Sequence, residues 1–208
     1  MSRNVRFFPS VENPFPLFIT IAFPSDAIDF VSYAHALFLK NELAVALIEE
    51  TMAKNLKISV SIVPDSTLFS FGFFSHNAIF IRNSLTLFEK SMVFLFELCN
   101  ICNSALDCTY NPKEFSDAKT FATTVEHAEF LSLNRAAQIY QLGFEQGVWP
   151  DFAVESEQTR AFGVLLKMNC DTYLAWAQTP MPEFNGATHA SYYEQLFESA
   201  TAASTLRA

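Results

Sequence analysis

Glycine is scarce in this chain, at five of 208 residues. Glycine-built phosphate cradles are therefore excluded: neither GxGxxG nor the P-loop pattern GxxxxGK occurs. GxSxG is also missing, which removes the nucleophile elbow of the α/β-hydrolases. Positive charge is short as well. Lys and Arg number 13 against 22 Asp and Glu, a net charge of −9. Binding to nucleic acid draws its affinity from cations on phosphates, so a nucleic-acid partner is not expected, nor is an anionic membrane surface. There is no apolar run of the ~20 residues that span a bilayer. Met92–Cys102 is very apolar but short, and Glu97 interrupts it. Residues 1–10 carry Arg3 and Arg6 but no apolar core of a Sec signal peptide.

Cysteine is limited to Cys99, Cys102, Cys108 and Cys170. Cys99 and Cys102 have the CxxC spacing of redox and zinc sites. No second pair and no histidine pair follows at finger spacing, and no thioredoxin-like pattern flanks them. They read as buried thiols of an apolar helix. Free thiols suit a reducing compartment. The expectation is a cytoplasmic protein, or one exported by a specialised system into a setting such as a host cytosol.

What is abundant is apolar side chain: 50% of the residues are hydrophobic and 23 are Phe. That composition predicts a large core and excludes disorder. Residues 1–16, punctuated by Pro9, Pro14 and Pro16, read as an extended arm, and residues 17–208 as one α+β domain, helical from about 86 onward. Leu17–Phe23 is a β-rich run. A helical pattern follows, with a break near Asn41. Lys57–Val63 alternates, with Ile58, Val60 and Ile62 inward, which predicts a half-buried strand. Leu68–Arg82 reads as a hairpin around Ser75-His76-Asn77. Helices are expected over Thr86–Ala105, Lys113–Gln146, Glu155–Trp176 and Ser191–Ala203, with Gly147 and Pro150 ending the second. The fold class is thus α+β: a small mixed sheet with a hairpin, over about 57–82, packed on a helical bundle with one central apolar helix, about 86–105.

That central helix reads TLFEKSMVFLFELCNICNSA and is apolar on nearly every side, so protein should surround it. Burying Glu97 there is costly unless it is paired or neutral. Asn100 lies one turn on and can hydrogen-bond it, and Asn103 extends the polar stripe. Further along, Glu126-His127-Ala128-Glu129 presents two carboxylates three residues apart. Glu97, Asn100, Glu126, His127 and Glu129 are the candidate site residues. Among the other histidines, His35 reads as a core residue, His76 as a turn residue, and His189 as a loop residue with no obvious partner. Arg135 and Arg160 are candidates to pair with the buried acids.

A hairpin feeding an apolar helix with a central Glu resembles the core of the zincin metallopeptidases. In those, HExxH binds zinc through two histidines and the Glu polarises the attacking water. The matching residues here are Phe96-Glu97-Leu98-Cys99-Asn100. Glu97 takes the general base's place, and Phe96 and Asn100 stand where the two histidines would be. The layout, over about Leu68–Glu129, is similar to metallopeptidase-like domains of secreted bacterial effectors and toxins. The resemblance implies a degenerate site without ordinary zinc chemistry, a helix near Glu126 that supplies a further ligand, and a protein partner or protein substrate. A divalent cation held by carboxylates is the cofactor this leaves open. Two other function classes stand beside it: a protein-interaction module without catalysis, and a non-metal hydrolase or transferase using Glu97 with His127.

Overall fold

A computed structural model of the chain describes residues 3–7, 17–21, 26–54, 56, 58–64, 72–75, 78–109, 112–151, 163–181 and 186–205. The fold is α+β. The described chain runs β1 (Arg3–Phe7), β2 (Leu17–Ile21), α1 (Asp26–Phe38), α2 (Glu42–Ala53), β3 (Ser59–Val63), β4 (Gly72–Ser75), β5 (Ala78–Arg82), α3 (Leu87–Cys102), α4 (Ser104–Thr109), a 3-10 turn (Pro112–Glu114), α5 (Ala118–Glu145), α6 (Cys170–Ala177) and α7 (His189–Thr205). It divides into two compact units. Unit 1 comprises residues 1–102 and 135–163, and unit 2 residues 103–134 and 164–208. The sequence reading expects one domain over 17–208. It also expects an arm over 1–16, within which residues 3–7 form a strand paired with β2.

Unit 1 holds a five-stranded mixed sheet in the order β1-β2-β3-β5-β4. The two outer pairs are antiparallel, and β3 runs parallel to both β2 and β5. Ile21, Val60, Ile79 and Phe74 fall in one row across the sheet. β5 buries alternate residues, Ile79 and Ile81, as a period of two requires. The alternation of Lys57–Val63 predicts a half-buried strand, but β3 buries Val60, Ser61 and Ile62 in succession, because a central strand is covered on both faces. Ser75 pairs with Ala78, so the expected hairpin closes over two residues, His76 and Asn77, which themselves lie outside the described set.

Helix α3 is the core of unit 1. Thr86 and Glu89 exchange backbone bonds at its start, Thr86 N to Glu89 Oε2 (2.5 Å) and Glu89 N to Thr86 Oγ1 (3.2 Å), a capping box that satisfies two orphan donors. From Phe88 to Cys102 only Phe96 and Asn100 are less than buried. Phe94 packs edge-on against Phe30 and stacks on Phe38, at 5.9 and 6.1 Å between ring centres. The break expected near Asn41 is real: Asn41 caps α2 by accepting from Leu43 N and Ala44 N. It is fully buried, and its amide also donates to Ile139 O at 2.7 Å. Gly143 lies under the Trp149 ring, where a Cβ would stand 2.5 Å from the indole. Gly147 then takes the left-handed conformation, φ 67°, that ends α5 as the sequence predicts.

In unit 2 the first half of α5 lays Phe121, Ala122, Val125 and Ala128 against Leu106 of α4 and Ala190 and Tyr193 of α7. Asp117 caps α5 by accepting from Thr120 N at 2.8 Å. Asn103 has left α3. Its carbonyl oxygen accepts from Ala105 N, and its amide donates to Ala128 O and Ser132 Oγ, so its role is to start α4 and tie it to α5. Among the described residues no helix is long and apolar enough to cross a membrane.

Candidate metal centre

Glu126 and Glu129 sit three residues apart on α5, so both project from one face of the helix beside its apolar stripe. Both are buried, Glu126 to 1% exposure. Their partner is His189, the first residue of α7. Thr188 and Ser191 bond reciprocally there, each backbone N–H donating to the other's hydroxyl at 3.0 Å. This capping arrangement fixes where α7 begins and which way His189 leaves it. His189 Nδ1 stands 2.7 Å from Glu126 Oε1 and 3.9 Å from Glu129 Oε2. One turn on, the Tyr193 hydroxyl donates to Glu129 Oε1 at 2.5 Å. Tyr173 of α6 is buried and faces both carboxylates. Its helix is set by Asn169, which accepts from Thr172 N. Trp176 packs on the His189 ring at 5.4 Å.

Two carboxylates buried side by side repel, and a low-dielectric setting makes the repulsion costly. Burial and repulsion together favour the protonated form of a carboxyl. Burial pushes Glu129 up to about 7, with the Glu126 charge adding to the rise, while His189 and the Tyr193 and Tyr173 hydroxyls hold it back. Burial, then the two carboxylates, keeps the Tyr173 phenol well above its ordinary range. One acceptor is left over: Glu126 Oε2 is buried and receives no hydrogen bond.

Ligand atoms from Glu126, Glu129 and His189 all lie within 4.8 Å of one another. Neighbouring ligands on a six-coordinate ion with bonds of about 2.1 Å stand about 3 Å apart. The 2.7 and 3.9 Å separations around His189 Nδ1 bracket that spacing. Two carboxylate oxygens and an imidazole suit a hard or borderline divalent cation. A cleft of about 310 Å³ opens beside Glu126. Lys119 and Thr123 line it along the same stripe of α5, together with Leu174 of α6 and Gln178, the residue that caps the end of α6.

The candidate residues are distributed as follows. Glu126 and Glu129 form the centre in unit 2. His127 is exposed on α5 while Glu126 and Glu129 are buried, and the imidazole beside those two carboxylates is that of His189. Glu97 and Asn100 belong to unit 1, where Asn100 Nδ2 donates to Glu97 Oε2 at 3.1 Å, the bond expected from their spacing. Arg135 pairs with Glu50, which is partly exposed, instead of with a buried acid. Cys99 and Cys102 are free and buried, burial pushes both thiols up, and Cys102 Sγ lies 3.2 Å from Thr51 Oγ1. Inert core thiols fit this setting. Arg160 and His76 lie outside the described residues.

His189 and the tyrosines are what sequence reasoning missed. The last helix was expected to start at Ser191. Starting it two residues earlier places His189 on the helix and puts Tyr193 one turn below it, on the same face. The signal was the Thr188-x-x-Ser191 pair. No known protein family, curated protein or solved structure matches this chain.

Proposed function

We propose that unit 2 is a metal-binding centre in which Glu126, Glu129 and His189 hold a divalent cation. The observation that carries this reading is the convergence of two buried carboxylates and a half-buried imidazole, with Glu126 Oε2 left without a hydrogen bond. A dication would balance both carboxylates and take up the free oxygen. Three protein ligands leave coordination positions open, and a cleft lined in part by Glu126 lies beside the centre. The chemistry such an ion supplies is Lewis-acid polarisation and activation of water, so hydrolysis is the reaction class the site favours. On this reading the metallopeptidase-like expectation moves to new ground: the ion belongs to α5 and α7, and Phe96-Glu97-Leu98-Cys99-Asn100 of α3 is not its binding motif.

The 2.5 Å bond from Tyr193 to Glu129 favours a second reading, a polar core cluster closed by a shared proton. Equilibrium dialysis against Mn²⁺ or Zn²⁺, with bound metal counted per chain, separates the two. The metal reading predicts one ion, lost in Glu126→Gln and in His189→Ala. A proton-closed cluster predicts none in any of the three proteins.

A further inference from the structure

Resting on the metal-binding reading above, we propose that the same centre takes ferric iron, with the phenol oxygens of Tyr193 and Tyr173 as ligands alongside Glu126, Glu129 and His189.

Geometry supplies the first support. The Tyr193 hydroxyl is 2.5 Å from Glu129 Oε1, closer than the ~3 Å that separates neighbouring ligands on one ion. An ion bound to Glu129 therefore has this hydroxyl within coordination reach. Tyr193 and His189 stand edge to face at 5.7 Å, so one helix face delivers an imidazole and a phenol together. Tyr173 comes from a different helix and faces both carboxylates. Three helices thus contribute five donors to the cluster: two from α5, one from α6 and two from α7.

Donor chemistry supplies the second. The set is two carboxylates, two phenols and one imidazole, with no thiol or thioether in it. Hard oxygen donors select hard ions, and a trivalent ion is harder than a divalent one. Charge points the same way. Two carboxylates neutralise a dication and leave the phenols protonated. A trication needs a third anion, and the phenol bonded to Glu129 is the nearest one. On binding, Glu129 gives up the proton it carries when protonated, and each phenol that coordinates releases one proton to solvent and forms one iron–oxygen bond. The iron enters and stays ferric, so no electron is transferred. A bound cation makes this deprotonation feasible by lowering the pKa of the group it holds. Phe130 packs on Tyr173 and Trp176 on His189, at 5.6 and 5.4 Å, which fixes both rings from behind.

Phenolate bound to ferric iron absorbs visible light, and phenol does not. The test is titration of the full chain with ferric nitrilotriacetate, followed by visible absorption, with Mn²⁺ binding measured in parallel. The wild type is expected to gain a charge-transfer band that saturates at one iron per chain. Tyr193→Phe should lose most of that band while its Mn²⁺ affinity stays within a few-fold of wild type. Tyr173→Phe should weaken the band, and Glu126→Gln should abolish both readouts. Retained Mn²⁺ binding also shows that each Phe variant is folded. Mn²⁺ binding without any ferric band would overturn phenol ligation and leave the divalent site standing. A band unchanged in both Phe variants would overturn it too. Failure of the wild type to bind either ion would remove the metal reading itself.

Discussion

Glu129 should make the metal-free protein less stable as pH rises. Its carboxyl is near 4.5 when exposed in the unfolded chain and about 7 in the fold. The folded state therefore holds a proton that the unfolded state has already released. Stability from this source is fully present below about pH 4.5 and disappears as pH rises through about 7. A separation of that size is worth roughly 3 kcal/mol, taking about 1.4 kcal/mol for each tenfold change in proton affinity. Other carboxylates titrate in the same range, so the measurement must be a difference. Urea melts of wild type and Glu129→Gln at pH 4.5 and pH 8 isolate it. Gln keeps the shape of the protonated acid and cannot ionise. Wild type is expected to lose roughly 3 kcal/mol relative to the Gln variant between those two pH values. Parallel stability curves for the two proteins would refute a buried, proton-holding Glu129. Saturating divalent cation should erase most of the loss at pH 8, because the ion replaces the proton.

Two other substitutions test the packing that surrounds these groups. Gly143→Ala would place a methyl group 2.5 Å from the Trp149 ring, whose indole Nε1 donates to Leu37 O, so the ring cannot swing away freely. A loss of about 1–3 kcal/mol is expected, read as a lower urea midpoint at constant slope, and an unchanged midpoint would show that the ring yields. Thr188→Ala removes the cap of α7, at a cost of about 1 kcal/mol, and should also weaken cation binding because His189 is the next residue. Stability lost with metal affinity intact would show that His189 is positioned by something other than its helix start.

Local patterns were readable from sequence and long-range convergence was not. The strand within Lys57–Val63, the hairpin around His76 and Asn77, the break at Asn41 and the all-round burial of α3 each follow from neighbours along the chain. The Glu97–Asn100 bond follows from one turn of helix. β1 did not announce itself, because a strand inside a proline-punctuated arm is defined by its pairing with β2, and pairing is not written in local composition. The division into two units is likewise a property of contacts between distant segments. Glu126 and Glu129 were visible as a carboxylate pair, yet the partner that gives them chemical meaning is 63 residues away. It was hidden by a two-residue error in where a helix starts. Nothing in the sequence singles out Tyr173 or Tyr193, and only the position of their hydroxyl groups sets them apart.

The central claim is tested most directly by isothermal titration of the full chain with Mn²⁺ at pH 8, with His189→Ala and Glu126→Gln alongside. The account predicts one saturable site in the wild type and none in either variant. No saturable binding in the wild type, or binding that survives both substitutions, would contradict it.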